Sequence, residues 1–202
     1  LFERMVAVEA CLRRRALLAH AATLSCLLPI GVPPARVGAS EPASTQLVTD
    51  ATFGYRLSLP QSWEAKPKPL RTHLHEVLYA APGAGGLKVG LTVDPVKIQS
   101  LEQFGTPEQV AERIVAVEQS RDGVRTVALR QVSSERGPPS FYTVEYLTES
   151  SRGTTVFRCK YCVTPRGLYV LQAQAKADAF DHSDGAVRRT IGGIVSSFEV
   201  LE

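Results

Sequence analysis

Two cysteines in Cys159-Lys160-Tyr161-Cys162 have the spacing of a redox dithiol or of half a zinc site. Such a pair does chemistry only when its sulfurs converge, and reactive thiols favour helix N-termini, where the dipole lowers their pKa. Here the pair lies in a period-two pattern, with Phe157, Cys159, Tyr161 and Val163 on one side and Arg158, Lys160 and Cys162 on the other. Side chains alternate across a strand, so the sulfurs are expected to point apart. Cys159 then reads as buried and inert, and Cys162 as the more accessible thiol. Tetrahedral zinc needs two further ligands, and the only other cysteines, Cys11 and Cys26, lie in the N-terminal segment.

His73 and His75 are separated by one residue and followed by Glu76. In an extended segment both imidazoles fall on one side, which makes them candidate metal ligands; two solvated histidines at a strand entry are the competing reading. Asp178, Asp181, His182 and Asp184 form an acidic run, but an EF-hand needs oxygen ligands at alternate positions and a closing Glu, which this run lacks. Asp178 or Asp184 fits better as a helix-entry charge. No Gly-x-Ser-x-Gly elbow, P-loop or Gly-x-Gly-x-x-Gly turn occurs. The expectation is a protein with no catalytic residue and no bound cofactor.

The elements that must position these groups are mostly strands. Phe53, Tyr55, Leu57 and Leu59 alternate before Pro60, and Leu87, Val89, Leu91 and Val93 alternate before Pro95. A weaker strand is expected over 74–81, and four more over 124–132, 140–147, 154–164 and 168–175. Their short connections join antiparallel neighbours. Thr106-Pro107-Glu108-Gln109 supplies an N-cap hydroxyl, a proline at the first helical position and a capping-box amide, so a helix starts there. A closing amphipathic helix carries Val187, Ile191, Ile194 and Phe198; Gly192 and Gly193 inside it suggest close packing. The pattern predicts a single α+β domain over 52–202, an antiparallel meander covered by helices.

Residues 13–39 have the order of an export signal: Arg13-Arg14-Arg15, an apolar run over 16–30, then a stretch ending Val37-Gly38-Ala39-Ser40. About 15 apolar residues fall short of the roughly 30 Å hydrocarbon core, so a cleaved leader over 1–39 is expected, cut before Ser40. Arg14-Arg15-Ala16-Leu17-Leu18 matches a twin-arginine signal, and an upstream transit segment is expected before it. Residues 40–51 lack apolar periodicity and are expected to form a mobile arm. The chain has 23 Lys and Arg against 20 Asp and Glu; five of the basic and two of the acidic groups fall in 1–39, leaving 18 of each. A formally neutral domain has no basic field with which to attract nucleic acid.

The order of several segments resembles the PsbP family. These are Leu59-Pro60-Gln61-Ser62-Trp63, the run Phe104-Gly105-Thr106-Pro107-Glu108-Gln109-Val110-Ala111-Glu112, Tyr142-Thr143-Val144-Glu145-Tyr146, Leu168-Tyr169-Val170-Leu171 and Ser197-Phe198-Glu199-Val200. Read physically they are fold determinants: Trp63 a core plug, Phe104-Gly105 a packed turn, and Tyr142 and Tyr146 rings on one strand face. The resemblance implies an α-β-α sandwich and a non-enzymatic extrinsic protein, peripheral to the lumenal face of the chloroplast thylakoid membrane. Its partner would be a photosynthetic complex: photosystem II with its oxygen-evolving centre, photosystem I, or a related assembly, in a stabilising or assembly role. Association with calcium, manganese or zinc is implied by the same resemblance. The alternative is a lumenal small-ligand or metal-ion carrier using His73 and His75.

Overall fold

Alternating apolar residues place most of the chain in antiparallel strands, and a computed structural model shows how they join. It describes residues 44–67, 73–83, 86–182 and 184–201; the leader and its cut before Ser40 lie outside them. The strands are β1 (Thr45–Asp50), β2 (Tyr55–Pro60), β3 (Glu64–Pro67), β4 (His75–Ala80), β5 (Lys88–Asp94), β6 (Val124–Glu135), β7 (Phe141–Ser150), β8 (Gly153–Thr164), β9 (Gly167–Lys176) and β10 (Glu199–Val200). A 3-10 turn at Leu101–Gln103 precedes helix α1 (Pro107–Gln119), and helices α2 (Ala177–Phe180) and α3 (Ala186–Ser196) follow β9.

Seven strands make one sheet in the order β3-β4-β5-β9-β8-β7-β6, and β1-β2-β10 make a second. Every pairing is antiparallel. The run from β6 to β9 is the expected meander. β5 instead pairs with β9, so α1 and three strands intervene in sequence between two neighbours in space.

The pleat sorts apolar side chains into two clusters. On β9, Tyr169, Leu171, Ala173 and Ala175 join one cluster, while Leu168 and Val170 join the other. The first also gathers Leu57 and Leu59 of β2, Trp63, Ile191 and Ile194 of α3, and Phe198. The second is closed by Ala111 and Ile114 of α1 over Tyr142, Val144 and Tyr146. Full burial of a large apolar side chain is worth about 1.5–3 kcal/mol, so these two clusters hold the layers together. The α1 entry is as expected: Thr106 Oγ1 accepts from the Gln109 N–H, and the Gln109 side chain accepts from the Thr106 N–H.

Three expectations are corrected. Residues 45–50, assigned to a mobile arm, form β1 on the edge of the small sheet. Only Val48 among them packs against the core, so no apolar alternation announces the strand. Backbone pairing with β2 holds it, helped by the Gln46 amide, which donates to the Trp63 carbonyl at 3.1 Å, and by Asp50, which accepts from the Thr52 and Phe53 N–H groups. The tight packing expected at the glycine pair is absent, since a Cβ on Gly193 would meet nothing within 4 Å. The strand β3 was not anticipated, because it consists of only Glu64, Ala65, Lys66 and Pro67.

Candidate functional site

Period two on β8 separates the cysteines. Cys159 faces the cluster under α1, and Cys162 faces the cluster that contains Tyr169 and Phe198. No disulfide joins them. The expectation of an accessible Cys162 is corrected, because α3 and the small sheet cover that face and leave it fully buried. Burial pushes its thiol up to about 12, with the nearby Lys160 opposing the shift. This is the reverse of the environment that activates a thiol.

The two candidate histidines engage different partners. His73 lies just outside β4 and bonds through Nδ1 to Asp94 at the end of β5. His75 opens β4; its Nε2 is 2.9 Å from the Tyr55 hydroxyl, and its ring stacks on Phe53 with centroids 4.3 Å apart. Burial holds the His75 pKa below its ordinary value, against the pull of the Asp50 carboxylate 3.9 Å away. The same packing raises the Tyr55 hydroxyl, through burial first and then the neighbouring Tyr79 and Asp50. Among the described residues no group of three or more His, Cys, Asp or Glu is arranged to hold a metal.

The acidic run ties helices to the sheet. Asp181 takes a bidentate contact from Arg130 at 3.0 and 2.8 Å and a third bond from Arg188 at 2.6 Å. These bonds hold its carboxyl below the usual range. Arg130 reaches it from a register shift in β6, between Leu129 and Gln131. Asp178 accepts from the Ala179 N–H and Asp184 from the Ala186 N–H, which are the helix-entry roles expected of them.

A cleft of about 520 Å³ opens where three connections meet, formed by residues 99–102, 137–140 and 163–166 with Leu201. Leu101 and Val163 are its buried apolar residues, and Pro138, Pro139 and Pro165 contribute rings. The Tyr142 hydroxyl donates to the Gly105 carbonyl at 3.2 Å and so ties the approach to α1 to the sheet beside it. Glu102 is held below the usual carboxylate range by its own backbone N–H first, then by the Ser100 and Ser140 hydroxyls. Arg166 stands in the β8–β9 turn, its backbone N–H donating to Thr164 Oγ1 at 3.2 Å. In sequence these segments read only as turns. They are too far apart for spacing to reveal that they converge.

The PsbP family model matches residues 43–200. The chain is 28% identical over 159 residues to PsbP domain-containing protein 2, chloroplastic, of Arabidopsis thaliana; the match covers 77% of this chain and 66% of that relative's length. The solution structure of cyanobacterial PsbP (CyanoP) from Synechocystis sp. PCC 6803 superposes with a TM-score of 0.64 at 17% identity, covering 82% of this chain and 98% of that one. At that identity the likeness is one of fold. The match across 43–200 decides the assignment: the chain belongs to the PsbP family.

Proposed function

We propose that this is a non-enzymatic extrinsic protein of the chloroplast thylakoid lumen that docks on a photosynthetic membrane complex, as a stabilising subunit or an assembly factor. The observation that carries the reading is the PsbP family match over 43–200, joined by similarity to a chloroplastic PsbP-domain protein. Its layering is read as the family's α-β-α sandwich, with α1 over one sheet face and α3 with the small sheet over the other. Supporting it, the cysteines, the histidines and Asp181 are each engaged in packing or internal bonds, while the cleft at the turns offers a surface of mixed apolar and charged character.

The test is a native gel of mildly detergent-solubilised thylakoid membranes, probed for the tagged protein. Co-migration with a photosystem or a related complex is expected. A protein found only free, binding zinc or manganese stoichiometrically and losing the metal on replacement of His73 and His75, would favour the carrier reading instead.

A further inference from the structure

We propose that the core under the C-terminal end of α1 binds an ordered water, held by the guanidinium edge of Arg121, the hydroxyl of Tyr146 and the carboxylate of Glu118, and that this water fastens the end of the helix to the sheet. The site is internal and does not depend on what the protein docks on.

The sequence of α1 puts a charge where an apolar side chain is the rule. Ala111 and Ile114 are buried against the sheet, and Glu118 continues their row at i+7 and i+4. The carboxylate therefore faces the core, and the residue is only 2% exposed. Arg121, in the turn after the helix, folds back to it and places Nη1 3.1 Å from Glu118 Oε2. Charges taken out of water are stable only when their remaining donors and acceptors are bonded as well. The pairing leaves donors over: Arg121 Nε and Nη2 are both buried and have no hydrogen-bond partner among the described residues. These two nitrogens form one edge of the planar guanidinium, so their N–H groups point the same way.

Tyr146 on β7 brings the third group. The residue is 0% exposed, its ring stacks on Phe157 with centroids 5.1 Å apart, and its hydroxyl also has no partner among the described residues. It lies beside the same ion pair: burial, then Cys159, Glu118 and Tyr161, push the hydroxyl pKa well up, and Arg121 opposes them. Buried polar groups in native cores are nearly all bonded, to protein or to ordered water. The charges here select the occupant. A cation would meet the guanidinium and an anion the carboxylate, so a neutral molecule that both accepts and donates is favoured. Water accepts two hydrogen bonds and donates two, which suits the Arg121 edge together with the Tyr146 hydroxyl and the Glu118 carboxylate, and a buried water typically makes about three. The consequence reaches β6. The Arg121 carbonyl accepts from the Val124 N–H at 3.2 Å, and the Gln119 side chain bonds the Arg125 carbonyl and the Val127 N–H. A water joining Arg121 to Tyr146 thus ties the whole α1–β6 connection to β7.

The test pairs a high-resolution crystal structure of the parent protein with the stability of Tyr146→Phe. Density for one water within hydrogen-bond distance of both Arg121 and Tyr146 is expected. Tyr146→Phe removes only the hydroxyl oxygen. In a dry site, losing an unpartnered buried hydroxyl leaves stability unchanged or raised. With the water bound, the unfolding equilibrium constant extrapolated from urea denaturation should rise by about two- to tenfold. Density in which Arg121 and Tyr146 bond protein groups directly, a different ligand at the site, or no density between them would overturn the proposal, whatever the variant does. So would a Tyr146→Phe protein at least as stable as the parent. If Tyr146→Phe fails to fold, the density in the parent decides.

Discussion

Cys159 and Cys162 stand on the same strand and on opposite faces of the seven-stranded sheet, one opposite Val144 and Gln172, the other opposite Phe141 and Tyr169. A disulfide needs Cβ atoms within about 4.5 Å, which residues on opposite faces of a regular strand do not offer. Mass spectrometry of the unreduced protein should find both as thiols. Because both are buried, native-state labelling should be slow at both and complete only after denaturation. Cys162→Ser should cost roughly 1–3 kcal/mol if its hydroxyl goes unpaired, seen as a lower urea midpoint.

His75 should make stability depend on pH. Its folded pKa lies below the ordinary value, burial being the main cause, so on acidification the unfolded chain takes up the proton first. Its contribution is therefore fully present above about pH 6.5 and declines as the pH falls from there toward the folded-state pKa. His75→Asn, which cannot titrate, should show a smaller loss of urea midpoint between pH 7.5 and pH 5.5 than the parent protein. An equal loss in both would contradict the assignment.

The capping box at α1 should be measurable by itself. Thr106→Ala removes the side-chain acceptor for the Gln109 N–H and should destabilise the protein by about 1 kcal/mol. Thr106→Ser keeps the acceptor and should recover most of that loss in the same denaturation experiment.

Gly167 should tolerate no side chain. Its φ is +148, and a Cβ would sit 2.5 Å from the Asp94 carbonyl oxygen, in a strand held by its pairing with β9. Gly167→Ala should cost roughly 1–3 kcal/mol from backbone conformation, with the clash adding to it. Gly83→Ala is the control, because Gly83 also has positive φ, +66, but a Cβ there would meet nothing within 4 Å. Thermal unfolding should place Gly167→Ala clearly below Gly83→Ala.

The strands that were legible in the sequence are those whose apolar residues alternate. Tyr55, Leu57 and Leu59 on β2, and Val89, Leu91 and Val93 on β5, point to the core at period two, and each run stops near a proline. The start of α1 was legible because a capping box is a local structure, made by Thr106 and Gln109 alone. Strand β1 was not, since its stability lies in backbone pairing with β2 and in the reach of Gln46 to Trp63, both of which are non-local.

By itself the sequence determined the type and order of the principal elements, the opposite facing of the two cysteines, and a set of segments similar to the PsbP family. Those features depend on local periodicity, on local caps and on short runs of residues, all of which one chain displays. Only the tertiary structure decided what lies over each sheet face. Period two says that Cys162 points away from Cys159; that it is buried follows from α3 and the small sheet folding over that side. Likewise His73 and His75 are neighbours in sequence, but Asp94 draws one and Tyr55 and Phe53 the other, because β5 and β2 bring those partners from distant parts of the chain. The cleft beside Arg166 exists only because three turns remote in sequence converge at one end of the sheet, and convergence of that kind is set by strand order and register rather than by any local pattern.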